Sequence, residues 1–515
     1  MRDVVKSMNL KLFKKKTLAA GVRPYDPHDG VALLKEGRSK TLKLFQLASE
    51  RVPAYKNFLK ENGVNPQKII TWEDFSTVPI TTKDNYLRKY PMEQLCWDGN
   101  LNKPLVLTAT SGSTGTPFYF PRNEQLDWQY SFIIEKFLDN SSHRTKGPVL
   151  VIVGFGMGVW IGGLITYKAF EIAAKRLGRP ISIITPGINK QEIFHALREL
   201  APQFKETILV GYPPFIKDLV DDARHEKIDL KSLNIRLLFA AESFTETFRN
   251  RLARRVGVKN IFLDMLNIYG SADIGAMAYE TGIGILIKRL ALSREVLFKE
   301  FFESNNKIPT LAQYNPLFIN FQAVEGQIVL TGDNALPLLR YSIGDSGGVF
   351  TFQELEQKLK NIEYPLKNLL LENNLPVDSY EELPFVYLYE RADMSTKLYG
   401  AIIFVEHVKE ALQSDEFEDQ LTGKFTMFTK IDTKHNQFLE INVELAKNVN
   451  PNPELEKRVR ETIIGNLLKK NAEYKNNHNS LGNKVDPHIV FWEHENTLYF
   501  KSGVKQKWVK RDNIK

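Results

Sequence analysis

The chain has 515 residues, 43% hydrophobic and 25% charged, an ordinary globular composition with room for two or more packed domains. A single cysteine, Cys96, excludes an internal disulfide framework and any multi-cysteine zinc or iron–sulfur site, which fits a reducing compartment. The formal charge of +8 is dispersed apart from two basic stretches, Lys11 to Lys16 and Lys501 to Lys515, which read as solvated ends rather than nucleic-acid arms.

The amino terminus has lysines but no apolar signal core and no small-residue cleavage site, so a secretory signal is not expected. Up to about Asn102 the chain reads as a helical lead-in, with basic and apolar residues at helical spacing over Ser39–Ala48 and Thr82 as a helix cap. Pro104–Leu107 predicts a short strand at a sheet edge, feeding Leu107-Thr-Ala-Thr-Ser-Gly-Ser-Thr-Gly-Thr-Pro117. In that loop the hydroxyls of Thr110, Ser111, Ser113, Thr114 and Thr116 sit on a backbone kept bare by Gly112 and Gly115. Such a loop can offer N–H and O–H groups to one compact anion, as phosphate-binding loops do. An ordinary Ser/Thr/Gly surface loop is the alternative. No lysine follows Gly115, so the Walker pattern is not met and any charge-neutralising cation must come from elsewhere.

Gly147 to Tyr167 carries no charge and is long enough to cross a bilayer, but it divides into a buried-strand run, Val149–Phe155, and a glycine-rich turn. The turn reading predicts no membrane span. From there strand-like runs alternate with amphipathic helices: Leu150–Phe155, Thr166–Leu177, Ile181–Ile184, Lys190–Leu200, Thr207–Val210, Pro214–His225 and Ile235–Ala241. Alternation of this kind predicts parallel strands joined by crossover helices, with ligands beyond the strands' carboxyl ends, where Tyr212 and Glu242 fall. Asn260–Asp264 reads as the next strand. It leads to Tyr269, Gly270 and Asp273, an aromatic face and a carboxylate on one tight turn. Asp273 could hold Mg2+ through oxygen, or simply cap a helix. Leu286–Tyr314 reads as a helical insertion. Glu325–Thr331 and Pro337–Tyr341 read as a strand pair ending at Asp345, a carboxylate able to accept two hydrogen bonds from ribose hydroxyls. After Tyr364 the composition shifts toward linker, and from Tyr389 onward helices and strands alternate in a compact α+β unit.

In this order the pieces resemble the adenylate-forming superfamily of acyl-CoA synthetases, adenylation domains and luciferases, in its phenylacetate-CoA ligase and acyl-protein synthetase branch. The Val52-Pro-Ala-Tyr55 and Val78-Pro-Ile-Thr-Thr-Lys83 segments resemble that branch's lead-in, so the likeness covers nearly the whole chain. It implies an α/β fold with a large N-terminal domain, residues 1–388, of mostly parallel sheets flanked by helices. A small mobile α+β domain, residues 389–515, would follow. Thr110–Pro117 is similar to the family's ATP phosphate loop. Ala240-Ala-Glu-Ser243 resembles the segment along adenine, which assigns Ala241 and Glu242. Tyr269–Asp273 resembles the motif that stacks adenine and binds Mg2+, with Asp273 where the family more often has Glu. Arg340–Asp345 resembles the ribose motif, and Arg391 with Asp393 resembles the ribose contact and the inter-domain hinge. Gly503–Lys507 resembles the catalytic-lysine loop with one extra residue, so that Lys505 and Lys507 compete for the role.

The chemistry implied is attack of a carboxylate on the α-phosphate of ATP with Mg2+, then acyl transfer to a thiol, either coenzyme A or the phosphopantetheine of a carrier protein. Bringing two anions together needs an added cation, which Lys505 would supply. Phe155, Met157, Trp160 and Tyr212 are candidates for an apolar acid pocket, and core packing explains them equally well. The expected partners are a small-molecule carboxylic acid and no nucleic acid, with an acyl carrier protein and a second copy of the chain as further candidates. The expected location is cytoplasmic and no zinc is expected. Carrier loading and a nucleotide-binding scaffold without turnover are the competing readings.

Overall fold

The computed structural model describes residues 26–109, 118–157, 161–302, 308–376, 379–389, 395–399, 401–432, 437–503 and 506–509. Five parallel strands form one half of a twelve-stranded sheet, in the order Ile181–Ile184, Val149–Gly154, Glu206–Gly211, Ile235–Ala240, Met265–Ser271. Their continuous apolar runs follow from burial on both faces. Val149, Val151 and Val153 pack with helices Glu124–Asp139 and Ile161–Leu177, whereas Leu150 and Ile152 pack with Pro213–Ala223 and Glu246–Val256. The stretch once open to a membrane reading is thus a six-residue buried strand and part of a helix. Among the described residues no helix is long and apolar enough to cross a membrane.

The other half of the sheet is antiparallel, from Gly275–Tyr279 through Thr310–Gln313, Phe385–Tyr389 and Ser346–Phe350 to Gln327–Gly332 and Ile319–Val324. The α/β class stands, but the sheet is mixed rather than mostly parallel. The helical lead-in covers this half: Phe45, Tyr55 and Phe58 from helices Gly30–Arg51 and Pro53–Glu61 share a core with Ile328, Leu330 and Tyr341.

Three local expectations need correction. Asn260–Asp264 is not a strand, because the Asn260 side chain accepts from the Phe262 N–H and caps the short helix Ile261–Asp264, leaving the strand to start at Met265. Leu286–Tyr314 is not an insertion: helices Gly282–Ser293 and Glu295–Phe301 supply Ile285, Leu286, Ile287 and Phe301 to the main core, and Thr310–Gln313 pairs inside the sheet. The strand before the hydroxyl loop, Val106–Ala109, joins among the described residues only Tyr119–Arg122, in a two-stranded sheet apart from the large one. Thr82 does cap, but through a reciprocal bond pair with Asn85 that closes a turn.

The carboxyl-terminal unit has its own core. Strands Leu421–Ile431 and Gln437–Leu445 run antiparallel, His488–Trp492 adds parallel, and helices Val405–Leu412 and Pro453–Lys470 pack against them. Hairpin Ser395–Leu398/Ala401–Phe404 contributes Leu398 and Ile403 to that core, whereas Phe385–Tyr389 lies in the large sheet.

Candidate active site

Three groups of polar residues meet at and beyond the carboxyl ends of the parallel strands. The first is built on Asp273, which follows strand Met265–Ser271 and is buried. Its Oδ2 accepts from the Tyr341 hydroxyl at 2.7 Å and lies 3.4 Å from Lys83 Nζ. Backbone stitching brings these together: Thr81 donates to the Arg340 carbonyl and accepts from Ser342 N–H, each at 2.9 Å, so the Thr82–Asn85 turn carries Lys83 alongside Tyr341. Burial first, and then the Asp273 charge, push the Tyr341 phenol far above its ordinary value, which keeps it a hydrogen-bond donor. The second group is Tyr269 and Asp345, both half-buried, with the Tyr269 hydroxyl donating to Asp345 Oδ2 at 2.5 Å. Gly344, at φ +91°, makes the turn that presents Asp345.

The third group joins the two units. Past strand Ile235–Ala240 the chain turns through Ala241 at φ +74°, a left-handed conformation unusual for a residue with a Cβ. Glu242 is buried there. Its Oε1 accepts from Gln506 N–H at 3.3 Å and its Oε2 from Trp508 Nε1–H at 3.1 Å. Asn267 Nδ2 donates to the Glu242 carbonyl at 3.0 Å and fixes the backbone. The Glu242 charge, after burial, also raises the Tyr212 hydroxyl above its usual value. Around this contact the seam between the units is charged. Lys424 lies 2.5 Å from Asp218, Lys190 bridges Asp222 at 2.8 Å and Glu495 at 2.5 Å, and Arg255 meets Glu418 at 2.7 Å.

The chain matches no family model. It is 25% identical over 304 residues to a phenylacetate-coenzyme A ligase of Pseudomonas putida, covering 58% of this chain and 62% of that protein. It is 24% identical over 249 residues to a phenylacetate-coenzyme A ligase of Thermus thermophilus, covering 48% and 52%. The matches therefore span less than two thirds of these curated relatives. A 2-hydroxyisobutyryl-CoA ligase, crystallised in the postadenylation state with R3-HIB-AMP, superposes over 96% of this chain and 94% of that one, with a TM-score of 0.65 at 16% identity. The chain has the fold of that CoA ligase. Within that fold, its sequence is similar to the two phenylacetate-coenzyme A ligases.

Of the sequence-predicted site residues, the structure brings Tyr269 to Asp345 and puts Glu242 against the terminal segment that carries Lys507. Lys507 itself is exposed, between buried Gln506 and Trp508. Gly270 is half-buried; a Cβ there would meet the Gly275 carbonyl oxygen at 2.8 Å, which leaves no room for a side chain. Phe155 and Tyr212 meet edge to face, ring centroids 4.9 Å apart, while Met157 is partly exposed beside Gly163 and Gly187. Thr110–Thr116, Trp160, Arg391, Asp393 and Lys505 lie outside the described residues. Sequence reasoning missed Lys83, Tyr341 and Trp508 as site residues. For Lys83 the signal was present, since Thr82 and Asn85 flank it at the spacing of a mutual side-chain turn.

Proposed function

We propose that the protein uses ATP to convert a carboxylic acid to an acyl-adenylate, releasing pyrophosphate, and then transfers the acyl group to the thiol of coenzyme A. The observation that carries this reading is the terminal segment Gln506–Trp508, folded onto Glu242 at the carboxyl end of the parallel strands. It supports delivery of a lysine from the small unit to a site whose own hydroxyl loop has none.

In the proposed reaction the substrate carboxylate oxygen bonds to the α-phosphorus and the bond to the pyrophosphate oxygen breaks. Negative charge builds on the phosphoryl oxygens, and a positioned ammonium group offsets it. Lys505 is the candidate. Asp345 would hold the ribose, with Arg391 near it, and the Tyr269 ring and the Ala241–Glu242 backbone would flank adenine. Tyr269 holds the carboxylate of Asp345 in place for ribose hydroxyls. A buried carboxylate suits Mg2+, which is held through one or two carboxylates plus substrate phosphates, and Asp273 would be that ligand. Mg2+, when bound, supplies charge neutralisation of the phosphates. The thiol sulfur, giving up its proton to solvent, then bonds to the acyl carbon as the bond from that carbon to the AMP oxygen breaks, and AMP leaves. In the sequence Asp393 falls between Tyr389, of the large sheet, and Ser395, of the small unit, and it is the candidate hinge between the two steps.

ATP–pyrophosphate exchange over a panel of aryl and aliphatic acids tests the reading, followed by coenzyme A as acceptor. Acid-dependent exchange and a CoA thioester are expected. Exchange without CoA product moves the acceptor to a carrier protein, and no exchange with any acid favours a scaffold without turnover. Lys505→Ala should abolish exchange while thioester formation from supplied acyl-adenylate survives; full exchange in that variant sinks the lysine assignment.

A further inference from the structure

The sequence motif places Glu242 with the adenine-binding segment, yet its carboxylate turns toward the small unit. Both oxygens are used there, one by the Gln506 amide and one by the Trp508 indole. The segment they grip is fixed on its other side: Thr426 Oγ1 donates to the Lys507 carbonyl at 2.7 Å, Met427 N–H to the Trp508 carbonyl at 2.8 Å, and Gln506 Nε2 to the Phe425 carbonyl at 3.0 Å. Trp508 is 2% exposed, with its ring 5.0 Å from Phe425 and Lys409 Nζ 4.3 Å above it. Gln506 is flanked by both candidate lysines, so whatever sets its amide sets their approach.

Building on the proposed function, we infer that Glu242 is a positioning residue for the adenylation step, a clamp that seats the lysine-bearing segment. Two properties suit it to that task. Its backbone is held by Asn267 and by the left-handed turn at Ala241, so its position is set by the large sheet. Its hydrogen bonds are charge-assisted, which makes them strong when formed in a buried setting. The grip is also reversible, since it consists of two hydrogen bonds rather than an interlocked apolar plug. Once the small unit swings for thioester formation, Gln506 and Trp508 leave and the clamp plays no part. Glu242 therefore acts on one half-reaction only, which a purely structural residue would not do.

The full chain and its Glu242→Ala, Glu242→Gln and Trp508→Phe variants test this, using the acid that supports exchange in the wild type. Glu242→Ala should lower the kcat of ATP–pyrophosphate exchange about 10- to 100-fold, the worth of a lost charge-assisted hydrogen bond, with KM for ATP changed little. Thioester formation from supplied acyl-adenylate and coenzyme A should fall far less than exchange does, since the adenine segment contributes backbone rather than the Glu242 carboxylate. Glu242→Gln should recover part of the loss, and Trp508→Phe, which removes one donor and keeps the packing, should lose less than Glu242→Ala in the same step. Equal losses in both half-reactions, or wild-type exchange in Glu242→Ala, overturn the inference. Backbone hydrogen exchange separates it from the functional reading. The Gln506 amide should exchange about tenfold faster in Glu242→Ala whether or not any acid is activated, and an unchanged rate overturns the clamp.

Discussion

The two ends of the parallel strands each gather buried charge, and they do so in opposite ways. At the amino ends Arg236 donates to Asp264 at 3.0 Å, to Glu206 at 3.2 Å and to the carbonyls of Phe137 and Leu263, with its guanidinium 3.9 Å from the Phe137 ring. Ser141 and Ser142 bond the same two carboxylates, and Arg236, Glu206 and Asp264 are all 0% exposed. Every partner there belongs to the large domain's own packed elements. At the carboxyl ends Glu242 is held by the small unit, Asp273 by the lead-in turn, and Asp345 by a tyrosine that is half-open to solvent. A charge cluster closed by its own layer is architecture. One whose partners arrive on separate segments can exchange those partners for a substrate.

Mutations can break that contrast. The largest effect should come from Arg236→Ala, which strands two buried carboxylates: about 3–5 kcal/mol of stability lost by urea denaturation. A loss below about 1 kcal/mol would mean that the amino-end cluster is no keystone. Next, Asp264→Asn and Asp273→Asn should diverge. The first should cost about 1–3 kcal/mol and leave the Mg2+ dependence of adenylation unchanged. The second should raise the Mg2+ needed for half-maximal exchange on the order of tenfold, with stability kept within about 1 kcal/mol. If Asp273→Asn only destabilises, the carboxyl end is as structural as the amino end. The smallest effect belongs to Ala241→Gly. Relief of the left-handed backbone, about 1 kcal/mol, is offset by glycine's greater freedom when unfolded, so the denaturation midpoint should barely move. A loss above about 2 kcal/mol would show that the Ala241 methyl is needed for packing.

The parallel half was legible in the sequence because strands buried on both faces leave uninterrupted apolar runs, as at Val149–Gly154 and Glu206–Gly211. Ile181–Ile184 is bounded correctly for a related reason: a short apolar run between polar breaks leaves little choice of register. Asn260–Asp264 misled because the apolar residues Ile261, Phe262 and Leu263 fit a strand, and only the cap from Asn260 decides for a helix. The antiparallel half was harder, since Thr310–Gln313 finds its partner at Phe385–Tyr389, a pairing with no local trace. The candidate nucleotide residues stood out in the sequence as carboxylates and an aromatic beside glycines, as at Tyr269–Gly270 and Gly344–Asp345. The partners of those carboxylates did not, because Lys83 to Asp273 and Trp508 to Glu242 are contacts across 190 and 266 positions of chain.

The seam at Lys424 bears on how readily the units part. Lys424 lies between Asp218 of the large domain and Glu444 of its own unit, at 2.5 and 3.3 Å. Burial alone would lower its ammonium's affinity for a proton, and the two carboxylates outweigh that and hold it charged. Separation returns Asp218 to water while Lys424 keeps Glu444 as a companion. In the two-step reaction proposed above, parting the units would therefore exchange attraction across the seam for hydration of Asp218. A seam held by buried charge is set by the placement of its partners, whereas an oily seam of the same extent would tolerate sliding.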